Sequence, residues 1–212
     1  MFRWFRKRWP QVPFDEIRKR ARLLVIDDKE FAYKTLFERD GYTIEKWSDV
    51  EALSRLEEGA FDLILLDLQG VGRRESTEEG FGVLKHLRDR APAQIIVAYS
   101  NADWGLQYQD FFRLADAVLP KSADYVDFKR RVDELLRDRF SLGFYLARFS
   151  SEAQKLDLPD SELLHTAEKA ILARDPARLR SALQRYPLTP AHVDRLLSIA
   201  NAAINILSLW NA

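Results

Sequence analysis

The sequence of 212 residues contains no cysteine, one methionine, eight glycines and eight prolines. Without cysteine the chain has no disulfide, no thiolate metal site and no cysteine nucleophile, and its composition suits a reducing compartment, so a cytoplasmic location is expected. The scarcity of glycine and proline, together with 47% hydrophobic residues, excludes wholesale disorder and fibrous structure. The length allows at most two compact units.

Long hydrophobic runs are also missing from the sequence. The closest candidate, residues 196–212, is uncharged but is interrupted by polar residues, among them Ser198, Asn201, Asn205 and Ser208. No transmembrane helix is therefore predicted. The first ten residues lack the apolar core and the small-residue cleavage site of a secretory signal, so no export signal is predicted.

The chain has no net charge, since 33 basic residues balance 33 acidic ones, but the charges are unevenly distributed. Residues 1–22 hold eight basic and two acidic residues, residues 23–150 hold 18 basic and 24 acidic residues, and residues 151–212 hold seven of each. A neutral C-terminal region lacks the basic surface of a DNA-binding module, so DNA binding is not expected there.

Residues 1–21 form a basic arm that is also rich in tryptophan and phenylalanine. The favoured interpretation is that the arm docks on the acidic middle of the chain or binds a partner, because the charges are complementary. Contact with an anionic membrane surface and a nucleic-acid patch are the alternatives left open.

From Arg22 to about residue 140, apolar strand-like runs alternate with amphipathic helical segments. Strands are predicted at 23–26, 43–47, 61–66, 94–99 and 115–119, and helices at 29–39, 49–58, 80–90, 102–114 and 124–140. Strict alternation predicts an α/β domain over residues 22–140 with a parallel sheet covered on both faces, without giving the strand order. Residues 141–212 carry only helical patterns and are predicted to form an all-α region.

Polar residues follow four of the five predicted strands. They are Asp27 and Asp28 after the first, Asp67 after the third, Ser100 after the fourth and Lys121 after the fifth. The carboxyl ends of parallel strands meet at one edge of a sheet. Three crowded carboxylates there suit a hard cation such as Mg²⁺. An ionised Asp67 could attack phosphorus, with Lys121 and Ser100 binding the phosphoryl oxygens.

Several segments around these residues resemble the receiver domain of two-component response regulators over about residues 22–140. The matching segments are Val25-Ile-Asp-Asp-Lys-Glu30, Asp62-Leu-Ile-Leu-Leu-Asp67-Leu, Gly80-Phe-Gly-Val-Leu-Lys-His-Leu-Arg88, Ile95-Ile-Val-Ala-Tyr-Ser100 and Leu119-Pro-Lys121. The resemblance implies a flavodoxin-like, doubly wound sheet in the order 2-1-3-4-5. It also implies dependence on Mg²⁺ and phosphorylation by a histidine kinase or phosphotransfer protein of a phosphorelay.

The resemblance also implies a role for each matching residue. Asp67 would be the phospho-acceptor, Ser100 the hydroxyl switch and Lys121 the phosphate-binding lysine. The ligands of Mg²⁺ would be Asp27, Asp28, Asp67 and the backbone carbonyl of Gln69.

Two departures from the family pattern stand beside these matches. Gly80 lies 13 residues after Asp67, where the family has a glycine after eight, so the charged segment 69–79 holds an insertion of about five residues. That insertion is either a tolerated surface loop or a lid or partner contact that tunes phosphoryl lifetime. Val118 stands where the family has an aromatic switch residue, and strand alternation turns Tyr99 away from the side of Ser100.

The leading hypothesis is a response regulator that signals through a helical tail without binding DNA. Its only activities would be self-phosphorylation from small donors and autodephosphorylation. The alternative is a non-phosphorylated, receiver-like scaffold for protein interaction or dimerisation, and a homodimer formed through the C-terminal helices is compatible with both. A metal-dependent phosphatase would need an acidic residue where Gln69 stands.

Overall fold

The computed structural model of the chain describes residues 9–100 and 112–209. These residues form two compact units, one made of residues 13–139 and the other of residues 9–12 and 140–209. We call them the sheet unit and the helical unit.

The sheet unit alternates helices and strands along the chain. Its elements are α1 (Phe14–Arg20), β1 (Arg22–Ile26), α2 (Lys34–Arg39), β2 (Thr43–Trp47), α3 (Leu53–Glu57), β3 (Leu63–Asp67), α4 (Gly80–Arg90), β4 (Ile95–Ser100), β5 (Ala117–Pro120) and α5 (Tyr125–Arg139).

The five strands form one parallel sheet in the order β2-β1-β3-β4-β5. Every residue of β3 and β4 is buried, as are four of the five residues of β1. Uninterrupted apolar strands of this kind are typical of a sheet covered by helices on both faces. The topology confirms the flavodoxin-like fold and the strand order expected from the resemblance.

One large apolar cluster fixes the sheet against α3 and α4. Alternate residues of three central strands contribute to it, together with residues of the two helices, namely Leu24, Ile26, Ile64, Leu66, Ile96, Ala98, Leu56, Leu84 and Leu87. The same cluster includes Trp47 and Phe61, and Val118 of β5 packs against it. Burial of this cluster holds the strand ends, and the polar residues that follow them, in fixed positions.

Several helices differ from the sequence-based expectation in extent. Residues 14–20, assigned to the arm, form α1, whose Ile17 is buried in the sheet unit. α2 and α3 are shorter than predicted, beginning at Lys34 and Leu53. The helix predicted at 102–114 lies largely outside the described residues, as do residues 1–8 of the arm and residues 210–212.

The helical unit contains α6 (Leu142–Gln154), α7 (Asp160–Ala173), α8 (Pro176–Leu183) and α9 (Pro190–Leu209). Side-chain caps define two of the helix starts, since Ser141 accepts from the Phe144 N–H and Asp175 accepts from the Arg178 N–H. Most apolar residues of α9 are buried within the unit. Within residues 9–100 and 112–209, none of the helices has the length and apolarity needed to span a bilayer.

Candidate functional site

Two aspartates lie side by side at the carboxyl ends of β1 and β3. The strands pair in parallel with Ile26 opposite Leu66, so Asp27 follows directly on one strand while Asp67 ends the other. Both carboxylates are buried. Their proximity follows from the register of two central strands, which the apolar cluster holds in place.

Asp28 completes a cluster of three carboxylates. One oxygen from each of Asp27, Asp28 and Asp67 lies within 4.8 Å of the other two. Gly70 makes room for this arrangement, because a Cβ atom at that position would lie 2.7 Å from an Asp28 oxygen. Mg²⁺ prefers oxygen ligands and keeps several bound water molecules. Three convergent carboxylates, of which Asp28 is exposed to solvent, fit both preferences.

Lys121 bridges the two buried carboxylates. Its Nζ lies 2.6 Å from Asp67 Oδ2 and 3.0 Å from Asp27 Oδ2. The lysine reaches this position because it follows β5, whose Pro120 pairs with Ser100 at the end of β4. The ammonium group thus offsets part of the charge repulsion within the cluster and is available to an anion bound beside Asp67.

Burial and hydrogen bonding shift the ionisation of these groups in different directions. Burial raises the pKa of Asp67, although the hydrogen bond from Lys121 opposes the rise. Burial acts the same way on Asp27, but bonds from the Lys29 N–H, the Tyr99 hydroxyl and Lys121 lower its pKa overall. Burial disfavours the charge of Lys121, yet its bonds to the two carboxylates raise its pKa. Asp67 is therefore the more easily protonated of the two buried acids.

Tyr99 contributes to the site in a way that the sequence analysis missed. Its hydroxyl donates a hydrogen bond of 2.7 Å to Asp27 Oδ2, while its ring packs against Phe31 and Phe128. Strand alternation indicates the face on which a side chain starts but not how far a long one reaches. The tyrosine turns away from the side of Ser100, yet its hydroxyl extends to the end of β1.

The remaining residues singled out from the sequence lie around the cluster. Ser100 ends β4 and is buried one residue beyond the register partner of Asp67. Gln69 is exposed, and its backbone N–H lies 3.3 Å from Asp67 Oδ1. Val118 is packed against the apolar cluster.

An open cleft of about 220 Å³ lies beside the Asp67 carboxylate. It is lined by residues at the carboxyl ends of three strands, β1, β3 and β5, and in segment 69–79, namely Asp28, Lys29, Asp67, Gln69, Gly70, Arg73 and Lys121. Sequence reasoning did not identify Lys29 or Arg73 as site residues. The signal for Arg73 was the charge of segment 69–79, but a linear pattern does not show which charge of a loop turns toward a cleft.

α4 begins in close contact with the end of β3. A Cβ atom added to Gly80 would lie 2.2 Å from the backbone oxygen of Asp67. A glycine is therefore required where the helix approaches this strand, despite the longer loop before it. This close approach fixes the backbone of the central aspartate.

Comparison with known proteins finds similarity in structure only. No protein-family model and no curated protein sequence matches the chain. A CheY-like receiver domain protein from Methanospirillum hungatei JF-1 is 24% identical, with 56% of this chain and 95% of that one covered at a TM-score of 0.48. The Francisella response regulator 1452 receiver domain is 24% identical, with 55% of this chain and 97% of that one covered at a TM-score of 0.48.

A further solved structure is that of the response regulator protein TrrA from Thermotoga maritima in complex with Mg(2+)-BeF. It is 25% identical, with 54% of this chain and 98% of that one covered at a TM-score of 0.44. Over somewhat more than half of its length, the chain is similar to receiver domains of response regulators, and the rest is a helical region.

Proposed function

We propose that the chain is a response regulator whose sheet unit accepts a phosphoryl group on Asp67. The observation that carries this proposal is the placement of Lys121 Nζ, 2.6 Å from Asp67 and 3.0 Å from Asp27, within a cluster of three carboxylates. A nucleophilic carboxylate, a fixed cation and an open cleft are the groups that phosphoryl transfer to an aspartate needs.

In the proposed reaction, an Oδ atom of Asp67 attacks the phosphorus of the donor. The new O–P bond forms as the bond between phosphorus and the donor breaks, and its electron pair leaves with the donor. Asp67 needs no general base because it reacts as a carboxylate. Lys121 binds the phosphoryl oxygens as negative charge spreads over them, and Ser100 is proposed to donate a hydrogen bond to them.

Mg²⁺ is the metal that this site would hold, through Asp27, Asp28, Asp67 and the backbone carbonyl of Gln69. When bound, it would neutralise charge between the carboxylates and the phosphoryl group. Hard oxygen donors and the separations within the cluster support this choice of metal.

A histidine kinase or a phosphotransfer protein is proposed as the natural donor, and the helical unit as the output. The helical unit is not expected to bind DNA, because residues 151–212 carry seven basic and seven acidic residues. A homodimer through its helices is part of the proposal, although most apolar residues of α9 are buried inside the unit. A homodimer would therefore have to form through surfaces of the helical unit other than the buried apolar face of α9.

The test is the intact mass of the protein after incubation with acetyl phosphate, with and without Mg²⁺. We expect one added phosphoryl group that requires Mg²⁺ and is lost in Asp67→Asn. Asp127→Asn is the matched control, since Asp127 pairs with Arg130 on the surface of α5, and it should take up phosphate normally. Light scattering on the same samples tests whether phosphorylation changes the oligomeric state.

Two results would contradict the proposal. Uptake that persists in Asp67→Asn would mean that another residue is the acceptor. A folded wild-type protein that takes up no phosphate would instead favour the alternative, a receiver-like interaction scaffold, which the packing of Val118 in place of an aromatic switch residue supports.

A further inference from the structure

The cleft beside Asp67 is lined by two cations, Lys29 and Arg73, to which the proposed reaction has assigned no part. Arg73 comes from the inserted segment 69–79 and lines the cleft together with Asp67 and Lys121. Its side chain is 67% exposed. An exposed arginine that lines a cleft into which a phosphorylated donor must enter is placed to contact that donor.

The inserted segment is anchored at both of its ends. Glu79 accepts a hydrogen bond of 2.7 Å from the Gly70 N–H through one carboxylate oxygen and contacts Arg73 Nε at 3.1 Å through the other. Asp49 accepts a further bond from the Gly72 N–H. A single carboxylate thus ties the guanidinium of Arg73 to the backbone that borders the cleft.

Glu79 has an unusual backbone conformation for a residue with a side chain. The residue has a φ of +54° and a ψ of −137°, a conformation that favours glycine and strains any other residue. A glycine at this position would remove the strain but also both hydrogen bonds of the carboxylate. The sequence has glutamate there, and its carboxylate makes the contacts that hold Arg73 and Gly70.

The charges of the cleft explain why a cation besides Lys121 is useful. A phosphorylated donor is an anion, and it must approach Asp67 and Asp28 with Asp27 behind them. The ammonium group of Lys121 is already shared between Asp67 and Asp27. Arg73 uses Nε for Glu79, and the planar guanidinium retains its two terminal nitrogens, a donor pair suited to two phosphoryl oxygens.

We propose that Arg73 binds the phosphoryl oxygens of the incoming donor and so raises the rate at which Asp67 captures the group. This inference rests on the proposed function, because it assumes that Asp67 is the acceptor. Arg73 makes and breaks no covalent bond. The O–P bond still forms at Asp67 while the donor leaves with its electron pair.

The experiment compares Arg73→Ala with Arg74→Ala, which removes the same charge from the neighbouring exposed position of the same segment. The initial rate of uptake is measured by intact mass over a range of acetyl phosphate concentrations with Mg²⁺ present. We expect Arg73→Ala to lower the second-order rate constant about tenfold, the usual effect of losing a charge-assisted hydrogen bond. Arg74→Ala should stay within about twofold of the wild type, since exposed charges that make no contact act weakly.

A binding measurement separates contacts to phosphoryl-like oxygens beside Asp67 from the transfer step. The affinity for beryllium fluoride in the presence of Mg²⁺, measured by calorimetry, should fall in Arg73→Ala by a factor similar to that of the rate constant. Arg73→Lys should recover part of the loss, because it restores the charge without the planar donor pair.

The outcomes distinguish this inference from the proposed function. If the wild type, Arg73→Ala and Arg74→Ala all take up phosphate at the same rate, the role of Arg73 is overturned and Asp67 remains the acceptor. Equal losses in both variants would also overturn it, because the effect would then belong to the charge of the segment. No uptake in any folded variant would remove the proposed function and this inference with it.

Discussion

At the scale of single residues, Tyr99 is the group that most alters the expected site. Its hydroxyl and the Asp27 carboxylate it contacts are both buried, with exposed fractions of 2%. Burial removes the water that solvates a carboxylate, and hydrogen-bond donors compensate for that loss. Removing one donor therefore destabilises the folded state. Tyr99 therefore stabilises the position of Asp27 as well as the aromatic packing around its own ring.

We expect Tyr99→Phe to lower the free energy of unfolding by about 1–3 kcal/mol at neutral pH, because a hydrogen bond to a buried charge is lost while the ring remains. Tyr33→Phe is the matched control, since the Tyr33 hydroxyl donates to the uncharged backbone oxygen of Ala123. Its cost should be about 1 kcal/mol or less. Urea unfolding measures both variants, and equal costs would show that the charge of Asp27 does not matter.

At the scale of elements, the sequence predicts strands better than helix boundaries. The apolar runs at 23–26, 61–66 and 94–99 locate β1, β3 and β4, because burial on both faces requires unbroken hydrophobic stretches. The strand order came from the resemblance, since alternation of elements is compatible with several orders. Asp27 and Asp67 were identified as site residues because the carboxyl ends of strands are recognisable in a sequence.

Local capping rules failed where a longer-range contact competed for the same side chain. Asp49 was expected to begin a helix, yet α3 begins at Leu53 and Asp49 instead accepts from the Gly72 N–H in the inserted segment. That partner is 23 residues away. The same limit applies to Arg73 and Glu79, whose pairing depends on how the inserted segment folds rather than on helical or strand periodicity.

Glu152 links two helices of the helical unit. It lies on α6, is 8% exposed, and accepts hydrogen bonds of 2.6 Å from Lys155 and from Arg195 of α9. Burial opposes its ionisation, but the two cationic partners lower its pKa below the ordinary value of 4.5. An acid with a lowered pKa stabilises the fold above its unfolded-state pKa and loses that effect as the pH falls.

We expect Glu152→Gln to lower the free energy of unfolding by about 1–3 kcal/mol at pH 7, because Arg195 loses a charged partner that is largely buried. The difference in the free energy of unfolding between the wild type and Glu152→Gln should decrease as the pH falls from about 5 through the lowered pKa of Glu152. In acid the two proteins should be equally stable. Thermal unfolding across this range measures the effect.

Lys155→Ala is the control variant. It removes a side chain that is 59% exposed and should lower the free energy of unfolding by less than about 1 kcal/mol. A constant difference between Glu152→Gln and the wild type at all pH values would contradict the assignment.

At the scale of the whole molecule, the two compact units do not follow one another simply along the chain. The helical unit takes residues 9–12 from one end and residues 140–209 from the other, and the sheet unit occupies the chain between them. Trp9 joins the two parts of the helical unit. Its indole Nε1 donates a hydrogen bond of 2.8 Å to the Phe140 carbonyl, and its ring centroid lies 6.0 Å from that of Tyr145.

The structure divides the described residues of the basic arm between the two units. The arm was expected to dock on the acidic middle of the chain or to bind a partner, on grounds of charge. Trp9, at the start of the described residues, packs within the helical unit through its ring and its indole N–H, whereas residues 14–20 of the arm form α1, whose Ile17 is buried in the sheet unit. Residues 1–8, which carry the first four basic residues, lie outside the described residues.

We expect Trp9→Ala to speed amide hydrogen exchange in α6 and to leave exchange in the central strands unchanged, because its contacts lie within the helical unit. Losing a half-buried tryptophan of this kind costs about 1–3 kcal/mol of local stability. Trp47→Ala is the reciprocal control. Trp47 belongs to the apolar cluster of the sheet unit, so its removal should speed exchange in β1 and β3 while α6 stays protected. Faster exchange in the central strands of Trp9→Ala would contradict this prediction, because it would mean that Trp9 also stabilises the sheet unit.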